Sequence, residues 1–129
     1  MIFRLNYGDD IAEAIIEKCK GKKITSGAVF FIGAVQKAVL GYYDQKKKKY
    51  KRIIMNKPME IVAGMGNISS KDNNLFLHAH ITLSDEKGRV FGGHLFSPTV
   101  VFICEVYMVK KKVKLVRGFD KTTRLFLWQ

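Results

Sequence analysis

The chain has 129 residues, 47% of them hydrophobic and 12% aromatic, which is one domain's worth and enough to bury a proper core. Lys and Arg outnumber Asp and Glu by 23 to 11, a formal net charge of +12, which favours anionic partners, nucleic acid being the commonest. No run of about 18 apolar residues occurs, so no membrane-spanning helix is expected, and Met1-Ile2-Phe3-Arg4-Leu5 followed by Asn6 lacks the pattern of a signal peptide.

Met1 to Asn6 reads as a first strand. Asp10 is placed to cap a helix, with Glu13 as its capping-box partner. Ile11, Ala12, Ile15, Ile16 and Cys19 then share one helix face, Lys18 and Lys20 suit the C-terminal dipole, and Gly21 ends the helix. Cys19 and Cys104 lack any metal or redox spacing and read as free, buried thiols of a cytoplasmic protein.

After the helix the pattern is β-rich. Ala28 to Gly33 is an almost unbroken apolar run, as in a strand buried on both faces, and Val35 to Tyr43 continues extended. A lysine-rich turn from Lys46 leads to a returning strand, Tyr50 to Met55. Pro58 marks a boundary, Met59 to Ile68 is the next strand, and Ser69 to Asn74 is a polar turn. Leu75 to Phe96 reads as a β-hairpin. Ser97-Pro98 breaks the chain, and Thr99 to Val109 is a long strand. Val113 to Val116 and Arg124 to Trp128 are short strands. One main helix and about seven strands in residues 1–129 imply a single α+β domain with a mostly antiparallel sheet.

The hairpin holds all three histidines of the chain: His78, His80 and His94. Strand side chains alternate faces, so Leu75, Leu77, Ala79, Ile81 and Leu83 share one face, and Phe76, His78, His80 and Thr82 the other. If Glu86-Lys87-Gly88 is the loop, its last position is left-handed, where glycine fits. Asp85 then opposes Arg89, and His80 opposes His94. In the same register Phe91 and Leu95 join the apolar face, and Gly92 leaves room beside the histidines. A two-residue loop would shift the register by one and send His94 to the other side.

Three imidazoles on one face can ligate a metal ion and leave a position open. Nitrogen ligands suit zinc, with nickel, copper or iron as alternatives. Ring nitrogens sharing one zinc must lie within about 4 Å of one another. The same residues can equally form a polar hydrogen-bonded cluster. A histidine acting as general base has no serine or cysteine nucleophile beside it in sequence.

The positive charge is mostly lysine, in clusters. Lys46, Lys47, Lys48 and Lys49 precede Lys51 and Arg52, and Lys110, Lys111 and Lys112 precede Lys114 and Arg117. A further group is Lys18, Lys20, Lys22 and Lys23. Such clusters offer phosphate contacts to nucleic acid, and they also protect sheet edges. Arginine is scarce, which argues against base-specific readout.

Phe31-Ile32-Gly33-Ala34-Val35, Leu40-Gly41-Tyr42-Tyr43-Asp44, Met59-Glu60-Ile61 and Gly66-Asn67-Ile68-Ser69 occur in an order that resembles the PPC (plants and prokaryotes conserved) domain family, of the stand-alone prokaryotic kind. The most specific part is His78-Ala79-His80, Asp85-Glu86-Lys87-Gly88-Arg89 and Gly92-Gly93-His94-Leu95, closed by Thr99-Val100-Val101. The resemblance runs nearly end to end and implies a homotrimer around an antiparallel sheet, with a metal site at His78, His80 and His94. In plant members the domain follows AT-hooks, whose Arg-Gly-Arg-Pro cores enter the minor groove. This chain has no Arg-Gly-Arg-Pro, so DNA association would rest on the lysine clusters.

Two functions follow as expectations. One is a trimeric binding or regulatory module, DNA-associated by charge and carrying a three-histidine metal site. The other is a small zinc-dependent metalloenzyme of hydrolase type using the same histidines, with Glu60 supplying a carboxylate from a neighbouring strand.

Overall fold

In the computed structural model, which describes residues 1–129, strand β1 (Ile2–Leu5) leads through a turn into helix α1 (Ile11–Gly21). Asp10 caps the helix: its Oδ1 accepts from the Glu13 N–H at 3.0 Å. The same carboxylate accepts from Ser97 Oγ and from the Thr99 N–H, both at 2.8 Å, and so ties the helix start to a distant strand. Ile11, Ile15 and Cys19 are fully buried, as the spacing predicts. Gly21 is the last helical residue, as expected, and the chain turns at Lys23, with φ 52°.

Seven further strands follow: β2 (Gly27–Asp44), β3 (Lys49–Met55), β4 (Met59–Lys71), β5 (Asn74–Ser84), β6 (Val90–Lys110), β7 (Val116–Phe119) and β8 (Phe126–Trp128). The sheet therefore has eight strands. β2 pairs β6, β6 pairs β5, β5 pairs β4 and β4 pairs β2, so the four long strands close into a ring of antiparallel ladders. β3 extends β2, and β1 lies along β6. β7 runs parallel to β4, and β8 folds back on β7. The core is one cluster of 22 buried residues, with Ile11 and Ile15 of α1 packed among strand residues such as Val29, Leu40, Ile81 and Val106. No helix is long and apolar enough to cross a membrane.

Four local expectations are corrected. Ala28 to Gly33 is not buried on both faces: Val29 and Phe31 point inward, while Phe30 and Ile32 are exposed. Ser69 to Asn74 is not a loop: β4 runs on to Lys71, and the turn is only Asp72-Asn73, both at positive φ (49° and 61°). Ser97-Pro98, a cis bond, does not break the chain: β6 passes through it by bulging. Val39 pairs Phe96 and Lys37 pairs Val100, so the residues between Phe96 and Val100 outnumber their partners. The Val39 N–H is satisfied instead by Thr99 Oγ1 at 3.1 Å. Finally, Val113 to Val116 is not a strand; β7 begins at Val116, and β8 at Phe126 rather than Arg124.

Candidate metal centre

The β5–β6 hairpin has the three-residue loop and register expected from sequence. Ser84 pairs Val90, Leu83 pairs Phe91, and His80 pairs His94. The Asp85 N–H donates to the Arg89 carbonyl at 3.1 Å, and Gly88 has φ 72°. Asp85 locks the loop by accepting from the Lys87 and Arg89 N–H groups and from the Arg89 side chain. With Lys57 also at 3.2 Å, these contacts hold its carboxyl well below the usual carboxylate range, Arg89 contributing most. Leu77, Ala79, Ile81 and Leu83 face the core, so the histidines face outward.

The three rings meet. Their centroids lie 5.3 Å apart for His78 and His80, 5.1 Å for His78 and His94, and 5.5 Å for His80 and His94. One ring nitrogen from each lies within 4.8 Å of the others. That is wider than the ~4 Å span of two imidazoles on one zinc, so ligation requires the rings to turn inward. His80 is exposed and free to do so; His94 is 8% exposed and fixed by packing. His94 Nδ1 is buried with no hydrogen-bond partner. A buried polar atom without a partner is costly, and a metal ion is one way to satisfy it. The nitrogen donor set and this orphaned atom together fit a divalent transition ion.

Electrostatics keep the site ready for ligation. Burial, then the charge of Arg117 and the neighbouring His80, lowers His78 to about 4. Burial, with His78, His80 and Arg117, lowers His94 to about 4. Both rings are therefore neutral near pH 7, the form that ligates.

Arg117 is the residue that sequence reading missed as part of the site. Its Nη2 lies 3.5 Å from His78 Nδ1 and donates to Asn67 Oδ1 at 2.9 Å. Its Nε donates to Ser69 Oγ and its Nη1 to the Phe126 carbonyl. It is 8% exposed. No pattern in the chain could place it there, because Arg117 reaches His78 only through the parallel pairing of β7 with β4. Together they wall a cavity of about 360 Å³ whose lining includes His78, His94, Lys71 and Arg124.

The other expected residues are distributed differently. Lys46, Lys47, Lys48 and Lys49 are exposed around the β2–β3 turn, where Lys48 has φ 53° and Lys48 and Lys49 line the cavity. Lys51 and Arg52 are exposed on β3. Lys110, Lys111 and Lys112 are exposed at the far end of the β2–β6 ladder, where Lys110 pairs Gly27 while His94 pairs Gly41. The structure does not bring Glu60 to the histidines: it pairs Ser84 and lines a separate cavity with Lys57 and Asp85.

Comparison with known proteins follows the same lines. The model of the Plants and Prokaryotes Conserved (PCC) domain matches residues 1–111. A metal-containing protein from Archaeoglobus fulgidus is 43% identical, with a TM-score of 0.95 over 100% of this chain and 91% of that one. A plant- and prokaryote-conserved protein from Pyrococcus horikoshii is 35% identical, with a TM-score of 0.94 over 100% and 90%. A proposed DNA-binding protein from Bacteroides thetaiotaomicron is 29% identical, with a TM-score of 0.93 over 99% and 90%. No curated protein matches the chain.

Proposed function

The chain belongs to the Plants and Prokaryotes Conserved (PCC) domain family, and from that premise we propose that it is a trimeric binding or regulatory module carrying a transition-metal ion on His78, His80 and His94. We read residues 1–129 as one such domain, since β7 and β8, beyond the matched residues, continue the same sheet. The observation that carries the metal reading is the convergence of three imidazoles on one hairpin face, with His94 Nδ1 buried and without a hydrogen-bond partner. Zinc suits this donor set best, and an ion held there supplies Lewis acidity at an open position. The metal content of the Archaeoglobus relative supports the reading.

Association into a trimer is supported by one row of the sheet. Paired neighbours across strands point to the same side, and Met65, Phe30, Tyr107 and Ile2 are successive partners on β4, β2, β6 and β1. All four are exposed, between 41% and 73%. Burying such a row is what an interface between copies accomplishes. Its other end is His80, the partner of Met65, so the metal centre adjoins this face. DNA association is supported by the lysine clusters and by the Bacteroides relative.

The test is metal analysis of protein purified without an affinity tag. The expected result is about one ion per chain, lost in His80→Ala with the fold unchanged, because the apolar face of the hairpin is untouched. A metal-free wild-type protein that also takes up no zinc on titration would overturn the reading.

A further inference from the structure

We propose that the cavity beside the histidines binds a small phosphate ester with a flat ring as its body. Five cationic side chains line this cavity: Lys48, Lys49, Lys71, Arg117 and Arg124. No carboxylate lines it, and the two ion pairs of the chain, Asp85 with Lys57 and with Arg89, lie elsewhere.

Arg117 is the strongest pointer. The residue is 8% exposed, yet every partner of its guanidinium is neutral: Ser69 Oγ, the Phe126 carbonyl, Asn67 Oδ1 and the His78 ring. A buried charge held in place by neutral groups and left without a counter-ion is costly unless something anionic completes it. Its Nη1 has one N–H beyond the bond to Phe126, by the donor inventory of the guanidinium. Lys71 repeats the pattern. Its Nζ makes no hydrogen bond or ion pair and sits 4.0 Å from the Phe126 ring centre and 5.4 Å from that of Phe76.

The charge of the lining exceeds what a single carboxylate would neutralise, and a phosphate ester, carrying close to two charges at neutral pH, matches it better. The remaining walls are aromatic. Phe76, Phe126, Phe96 and Tyr50 offer ring faces and edges to a planar body. The volume of about 360 Å³ is that of a small-molecule pocket. A DNA duplex presents its phosphates on a wide surface and is poorly shaped to reach into a cavity at Arg117, a residue only 8% exposed. The proposal stands without the metal, since none of these contacts passes through an ion.

The experiment is calorimetric titration of the full chain, as purified and after chelator treatment, with phenyl phosphate, benzoate, inorganic phosphate and a short DNA duplex. The expected result is one phenyl phosphate per chain in both preparations, at least about tenfold tighter than benzoate or inorganic phosphate. Lys71→Met, which keeps the aliphatic stem, weakens it about tenfold or more, and Lys37→Met, exposed on β2 away from the cavity, changes it less than about twofold. Arg117→Gln removes it altogether, but Lys71→Met decides the matter if that variant does not fold. No saturable binding at millimolar phenyl phosphate overturns the proposal. So does equal affinity for inorganic phosphate or benzoate, equal weakening by Lys37→Met, or displacement by the duplex at lower concentration. A chain that is purified without metal and takes up none, yet still binds phenyl phosphate, would sink the metal reading alone.

Discussion

At the scale of single residues, His78 and His94 make acid sensitivity a direct consequence of the hairpin. In the folded, metal-free chain each is lowered to about 4, by burial first. In the unfolded chain each titrates near ~6.5. Between those values the unfolded chain binds protons that the folded chain does not, so folded stability is complete above about 6.5 and falls as the pH drops towards 4. The loss is of order a few kcal/mol for the pair, reduced because His78 is only partly buried. Urea midpoints of metal-stripped protein at pH 7.0, 5.5 and 4.5 should fall in that order, and His94→Gln should flatten the trend. A midpoint constant over that range would show that the two rings titrate normally. Metal binding needs neutral rings, so for these two ligands it should persist below the ordinary histidine range. The histidines themselves were readable because their spacing met a period-two strand; Arg117 was not, because nothing local to it records a contact made across 39 positions.

At the scale of elements, legibility followed the strength of the local signal. The histidine hairpin was readable from glycine chemistry: Gly88 sits at φ 72°, and the alternation of Leu77, Ala79, Ile81 and Leu83 leaves one register. The Asp10 cap was readable for the same reason, since the carboxylate precedes an apolar helical stripe. Ser69 to Asn74 misled because its polar residues resemble a loop, whereas Ser69 is wholly buried in β4 and accepts from Arg117. Ser97-Pro98 misled because proline lacks an N–H, and the sheet absorbs that lack in a bulge that Thr99 and Asp10 then satisfy. Asp10 therefore serves two elements. Asp10→Ala should cost about 2 kcal/mol, more than a typical cap, because the bonds from Ser97 and Thr99 go with it. Equilibrium unfolding in urea reads this directly, and a loss under about 0.5 kcal/mol would mean that the cap and the strand anchor are not coupled through this carboxylate.

At the scale of the whole molecule, two properties of the surface set its behaviour. The exposed row Met65, Phe30, Tyr107 and Ile2 should hold copies together. Light scattering at micromolar concentration should give three times the mass of the 14.7 kDa chain, and Phe30→Lys should reduce it to that of one chain. A monomeric wild-type protein would remove the basis for the trimer. The net charge of +12 should make any DNA binding weak in sequence preference and steep in salt, with affinity falling by about tenfold or more between 50 and 200 mM. A complex that tolerates high salt would point to contacts other than the lysines. The central claim is the metal centre, and X-ray absorption at the zinc edge of stoichiometrically loaded protein tests it most directly. Three histidine nitrogens at about 2.0–2.1 Å, with the count reduced or the zinc released in His94→Ala, is the predicted result. Sulfur scatterers at about 2.3 Å, or an unchanged spectrum in His94→Ala, would contradict it.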